Sequence, residues 1–138
     1  MQKFILIFFI FLISCQASDN DKFFSYLNEF EVVDFHDKDI VLINLEGCID
    51  CVDLQLNIID NLTKQDLNDK LFIFTGKVFA EDHDALLDKY SFDFYRDKEN
   101  RIIKVLPNYT NGIIYSDKTD NLNYVSDERD FINYITNL

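Results

Sequence analysis

Apolar positions along the chain fall into three kinds of pattern. From Phe4 to Ile13 no polar residue interrupts the run. Ile40-Val41-Leu42-Ile43-Asn44-Leu45 and Leu71-Phe72-Ile73-Phe74-Thr75-Gly76 are short, nearly continuous and rich in branched or aromatic side chains, the pattern of strands buried on both faces. Between them the spacing changes to a helical one. Val52, Leu54, Leu56, Ile58, Ile59 and Leu62 suit an amphipathic helix beginning near Cys48. Phe23, Phe24, Leu27 and Phe30 predict a short leading helix over 21–30, and Leu86, Leu87 and Tyr90 one over 80–90.

The polar intervals complete the outline. Glu31 to Phe35 reads as an edge strand, His36 to Asp39 as a turn, Thr63 to Asp69 as a polar connection and Asp97 to Asn100 as a second turn. Phe92 to Tyr95 starts a short extended piece, and Arg101 to Leu106 is apolar enough to be ordered. Ile113-Ile114-Tyr115 and Leu122-Asn123-Tyr124-Val125 flank a polar turn, a hairpin pattern, and Ser126 or Asp127 can cap a closing helix carrying Phe131, Ile132 and Ile135. Strand, helix, strand, helix, hairpin, helix is the order of a single α/β domain, with a central mixed sheet flanked by helices and antiparallel at one edge.

The first apolar run has another meaning. Met1-Gln2-Lys3 precedes it, and it is shorter than the about 20 residues that a spanning helix needs. It closes on Leu12-Ile13-Ser14-Cys15, which resembles the lipobox of bacterial lipoproteins. The resemblance implies a signal peptide over 1–14, cleavage before Cys15, acyl chains on that cysteine and attachment to a membrane without a spanning helix. A simple secretory signal, leaving Cys15 as an odd thiol, is the plainer alternative. Gln16, not Asp, stands directly after Cys15, so a retention signal for the inner membrane is not met, and the outer membrane of the cell envelope is the expected location, on its periplasmic or surface face. Asp19-Asn20-Asp21 resembles the export signal of Bacteroidetes-type surface lipoproteins, or is a solvated tether. The expected division is signal peptide 1–14, lipidated tether and leading helix 15–30, and folded domain 31–138.

Charge narrows the partners. With 13 basic against 25 acidic residues the formal net charge is −12, and cleavage removes only Lys3 among charged residues. Such a surface repels nucleic acid and anionic lipid headgroups, so no nucleic-acid partner is expected, and contact with lipid runs through Cys15 alone.

The chemistry-bearing constellation is Cys48-Ile49-Asp50-Cys51, directly after a central strand and at a helix start. Helix-start N–H groups and the helix dipole stabilise a thiolate there. Ile40 to Leu45, this C-x-x-C pair, Leu71 to Thr75 and the late Asn111-Gly112-Ile113-Ile114-Tyr115-Ser116-Asp117 together resemble the thioredoxin-like superfamily, in particular membrane-tethered thiol–disulfide proteins of the TlpA and peroxiredoxin-like branch. The resemblance implies a thioredoxin-like fold, Cys48 as attacking and Cys51 as resolving thiol, disulfides of exported proteins as substrates and a membrane electron donor. It also implies a cis-proline facing the motif; its counted place is Thr110-Asn111 and Pro107 lies four residues before Asn111, so either the loop carries an insertion and Pro107 serves, or the cis-proline is lost. Gly47 replaces the family's aromatic, and Leu42 its buried acid. Glu46, Asp50 and Asp53 surround the motif, and no basic residue lies between Asp39 and Lys64, which disfavours a thiolate and predicts a reducing pair.

The alternative is a non-catalytic binding lipoprotein that keeps the fold with Cys48–Cys51 as a structural disulfide. A thiol peroxidase fits less well, for want of the Thr/Ser-x-x-Cys and arginine surroundings. Zinc would need two more ligands, and His36 and His83, the only histidines, lie far apart. Asp82, Asp84, Asp88 and Asp93, or Asp117 with Asp120, lack a calcium-loop pattern and read as solvated acidic faces. No cofactor-binding motif is present, so no cofactor is expected.

Overall fold

The computed structural model describes residues 17–29, 35, 37–47, 49–76 and 87–136. Helix α1 (Asp19–Glu29) leads into strand β1 (Asp39–Asn44), helix α2 (Ile49–Asp60), the short α3 (Lys64–Asn68) and strand β2 (Lys70–Thr75). Strand β3 (Phe94–Asp97), the single-turn α4 (Ile102–Val105), the hairpin of β4 (Gly112–Ser116) and β5 (Asn121–Val125), and helix α5 (Glu128–Thr136) follow. The sheet order is β3-β2-β1-β4-β5. β1 pairs parallel with β2 and β2 with β3, whereas β4 runs antiparallel to β1 and to β5. This is a single-domain α/β fold, with a five-stranded mixed sheet flanked by helices, compatible with a thioredoxin-like fold.

Alternation along the strands divides the core into two faces. Ile40, Leu42, Leu71, Ile73, Ile113 and Tyr115 meet Phe23, Tyr26 and Leu27 of α1 and Ile102 of α4. Val41, Ile43, Phe72, Phe74 and Ile114 meet Val52, Leu56 and Ile59 of α2 and Phe131 and Ile135 of α5. All six β2 positions and the first five of β1 are buried, as expected for strands covered on both sides. Ile132, counted with the closing helix's apolar residues, is 37% exposed and lies off the buried stripe.

The structure refines several expectations. The connection from Thr63 to Asp69 holds α3, because Thr63 and Asp66 form a reciprocal cap: Asp66 N–H donates to Thr63 Oγ1 (3.2 Å) and Thr63 N–H to Asp66 Oδ2 (3.0 Å). Ser18 and Asp21 repeat the device at α1, and Asp127 Oδ1 accepts from Asp130 N–H at α5. Arg101 to Leu106 contains the turn of helix α4. α1 is part of the packed body, since Phe23 and Leu27 are fully buried against the sheet. Of the edge strand expected over 31–35, only Phe35 is described; it is outside any strand and stacks on Phe24 at 5.8 Å. The helix expected over 80–90 falls mostly outside the described residues; Leu87 is buried in the second core face, and Tyr90 packs against it. Among the described residues no helix is long and apolar enough to cross a membrane.

Candidate functional site

The sheet grows to both sides of β1: β2 and β3 are added on one flank and, after β3, the chain crosses to add β4 and β5 on the other. In open α/β sheets the crevice outside the carboxyl ends of strands at such a switch point is the usual place for a site. Asn44-Leu45-Glu46-Gly47, the turn that leads to the C-x-x-C pair, occupies it.

Three neighbours fasten this turn. Asn44 Oδ1 accepts the Glu46 N–H at 3.1 Å, an Asx turn, and Gly47 N–H donates to the Asn44 carbonyl at 3.1 Å. From the β4 flank, Asn44 N–H donates to the Asn111 carbonyl (3.0 Å) and Asn44 Nδ2 to the Thr110 carbonyl (2.5 Å). Asn111 Nδ2 in turn donates to the Ser126 carbonyl at 2.8 Å. From the β2 flank, Leu45 N–H donates to the Thr75 carbonyl at 2.9 Å. From the β3 flank, Asn100 Nδ2 donates to Glu46 Oε2 at 3.3 Å. Gly47 has the conformation its contacts allow: a Cβ there would stand 3.0 Å from Asn111 Oδ1 and 3.1 Å from the Asn44 carbonyl oxygen. Any side chain at this position would require the Asn111 side chain and the Asn44 carbonyl to give by a few tenths of an ångström.

Behind the turn lies a buried polar cluster that the sequence pattern did not reveal. Asp97 is fully buried at the carboxyl end of β3. Its Oδ2 accepts from Tyr26 O–H (3.1 Å) and Arg101 N–H (2.7 Å), and its Oδ1 lies 3.6 Å from Arg101 Nε. Gly76 N–H donates to the Asp97 carbonyl at 3.3 Å. The Thr75 and Tyr109 hydroxyls are hydrogen-bonded to each other. Burial first, and then the Asp97 charge, raise the Tyr26 phenol far above its ordinary range. Tyr109 is raised mainly by burial; its bond to Thr75 opposes this, and the Asp97 and Glu46 charges add to it. Both stay protonated, and Tyr26 donates its O–H to Asp97. In sequence Asp97 and Asn100 are ordinary turn residues, and their partners Tyr26 and Glu46 lie 71 and 54 positions away, beyond any local pattern.

Of the expected site residues, Cys51 is half-buried in the first turn of α2. Cys48 and the lipidation candidate Cys15 lie outside the described residues. Ile49, between the two cysteines of the motif, is 78% exposed, and Asp50 and Asp53 are exposed beside it. Leu42 is fully buried in the apolar face against α1, so no acid acts from that position.

Of the two alternatives for the cis-proline, that Pro107 serves or that it is lost, the described residues favour the second. No peptide bond among the described residues is cis, and Pro107 is exposed at the second position of a turn closed by Tyr109 N–H to the Leu106 carbonyl (3.0 Å). That is a position where the fixed φ of proline suits an ordinary trans turn. Thr110 and Asn111, not Pro107, are the residues that meet the turn after β1. Among the described residues no three His, Cys, Asp or Glu side chains converge as metal ligands.

No protein-family model matches the chain, and no curated protein matches it either.

Proposed function

We propose that the protein is an extracytoplasmic thiol–disulfide oxidoreductase of thioredoxin-like type, held on a membrane by lipid on Cys15 and using Cys48 and Cys51 on disulfides of exported proteins. The observation that carries the reading is the position of the C-x-x-C segment. It joins the switch-point end of the central strand to the first turn of α2, where helix N–H groups and the dipole favour negative charge. A redox pair needs a fixed support so that the second thiol can reach the first, and the fastened Asn44–Gly47 turn supplies one.

In the reducing direction the Cys48 thiolate attacks one sulfur of a substrate disulfide. An S–S bond forms to Cys48, the substrate S–S bond breaks, and one substrate sulfur leaves as thiolate and takes a proton. The Cys51 thiolate then attacks Cys48 sulfur, releasing the second substrate thiol and leaving the Cys48–Cys51 disulfide. Two electrons have passed to the substrate, and a dithiol donor must return them. Glu46, Asp50 and Asp53 oppose the dipole, so the pair belongs at the reducing end of the range of such motifs.

The deciding measurement is the reduction potential of the pair, by thiol labelling across a glutathione or dithiothreitol series. The expected result is a two-electron transition in the lower part of the roughly −120 to −270 mV spanned by known redox motifs, with disulfide reductase activity lost in Cys48→Ser. A pair that stays oxidised below about −300 mV, with Cys48→Ser costing only stability, would establish the structural-disulfide reading instead.

A further inference from the structure

The two ends of the strands have different neighbours, and the lipid anchor can belong to only one of them. Ile43 pairs with Gly112 and Gly112 with Val125, so the carboxyl end of β1, with its C-x-x-C turn, lies at the open end of the β4–β5 hairpin. Ile40 pairs with Tyr115 and Ser116 with Asn121, so the hairpin tip, Asp117 to Asp120, lies at the opposite end. The start of α1 is fastened to that tip. Asn20 Nδ2 donates to the Asp120 carbonyl at 3.0 Å, and Asp120 has a left-handed conformation (φ 51°) that presents it. Tyr124, which pairs with Ile113 towards the open end of the hairpin, reaches its O–H to Asp19 Oδ2 at 2.6 Å and ties the same helix start to β5. Ser18 caps α1, so the helix is ordered from its first residue.

We infer that the domain hangs from its lipid anchor by this corner, with the C-x-x-C turn facing away from the membrane, so that its redox partner is a protein domain arriving from the aqueous side and not a centre embedded in the bilayer. The inference rests on the proposed acylation of Cys15. From Cys15 to Ser18 the chain has three residue steps, which reach at most about 11 Å. The hairpin corner is therefore kept near the lipid surface. Four strand steps separate Ser116 from Gly112, about 14 Å at 3.4 Å each, and the C-x-x-C turn lies beyond them. Charge favours standing off the surface over lying on it. Asp19, Asp21, Asp37, Asp117 and Asp120 outnumber Lys22, Lys38 and Lys118 around this end, so an anionic bilayer repels it at close range.

The test uses the full lipidated chain, with Cys48 and Cys51 changed to Ser, reconstituted in liposomes that carry a headgroup quencher. A fluorophore is placed at Lys118→Cys at the hairpin tip or at Ile49→Cys beside the C-x-x-C turn. The expected result is quenching at least twofold stronger at position 118, with the difference lost when a Gly/Ser linker of about 20 residues is inserted after Ala17, since such a linker spans roughly 25 Å. Equal quenching without the linker, or stronger quenching at position 49, overturns the orientation. A protein that does not float with the liposomes overturns the anchor itself, an outcome that the flotation step separates from the first.

Discussion

Asp97 shows how much one side chain can organise. It accepts from the Tyr26 hydroxyl, caps the start of α4 through Arg101 N–H and faces the Arg101 guanidinium, all without solvent exposure. Removing one partner of a buried charged group leaves desolvation uncompensated. Tyr26→Phe is therefore expected to destabilise the domain by about 1.5–3 kcal/mol in urea unfolding, the range for a hydrogen bond to a charged group, with the fold retained. A change within about 0.5 kcal/mol would place Asp97 in contact with water. Gly112 makes a second residue-scale case. A Cβ there would stand 2.6 Å from the Leu42 carbonyl oxygen, and that atom belongs to the central strand's backbone, which has nowhere to retreat. Gly112→Ala is expected to cost at least the about 1–3 kcal/mol typical of overpacking, read in the same unfolding assay.

At the scale of elements, α1 and the hairpin form one unit. Asp19 is held below its ordinary range by the Tyr124 hydroxyl first and Lys22 second. Tyr115, whose hydroxyl donates to Asp120 Oδ1 at 3.0 Å, is pushed up to about 12, chiefly by burial and then by that carboxylate. Changing Asp19 to Ala removes the acceptor for Tyr124 and should loosen α1 from β5. Amide hydrogen exchange is expected to speed up in 19–29 and around 120–125 while β1 and β2 stay protected. Uniform acceleration across the sheet would mean that α1 and the sheet unfold as one cooperative body.

For the whole molecule, titration bounds the stable range on both sides. Asp19, Asp21, Asp66 and Asp130 all have lowered pKa values, so the stability they contribute is present above the unfolded carboxylate value and is lost as pH falls through the folded one. Tyr26, Tyr109, Tyr115 and Tyr124 are raised, so their contribution is complete below the unfolded phenol value and is lost as pH rises above it. Thermal melts are expected to show a plateau between about pH 4 and pH 10, falling on each side. The acidic carboxylates are exposed and screened, whereas Tyr26 and Tyr109 are buried, so the alkaline fall should be the steeper. A steeper acid limb would shift the weight to the surface capping pairs.

Periodicity and motif order alone determined the class of fold, the two central strands, α2 and its C-x-x-C start, the hairpin and the closing helix, because burial on a sheet or helix face writes itself into spacing along the chain. The apolar run Phe4–Ile13 ending at Ser14-Cys15 is likewise a local pattern, read from the sequence alone, and the lipid anchor it suggests belongs to the proposed function. Only the tertiary structure decided that α1 belongs to the core, that Pro107 serves a trans turn, that Thr110 and Asn111 meet the Asn44–Gly47 turn, and that Asp97, Tyr26, Asn100 and Glu46 form the polar support behind it. Apart from the local turn at Pro107, each of these depends on partners many tens of residues apart, brought together by sheet order, and single polar residues carry no period from which such partners can be read.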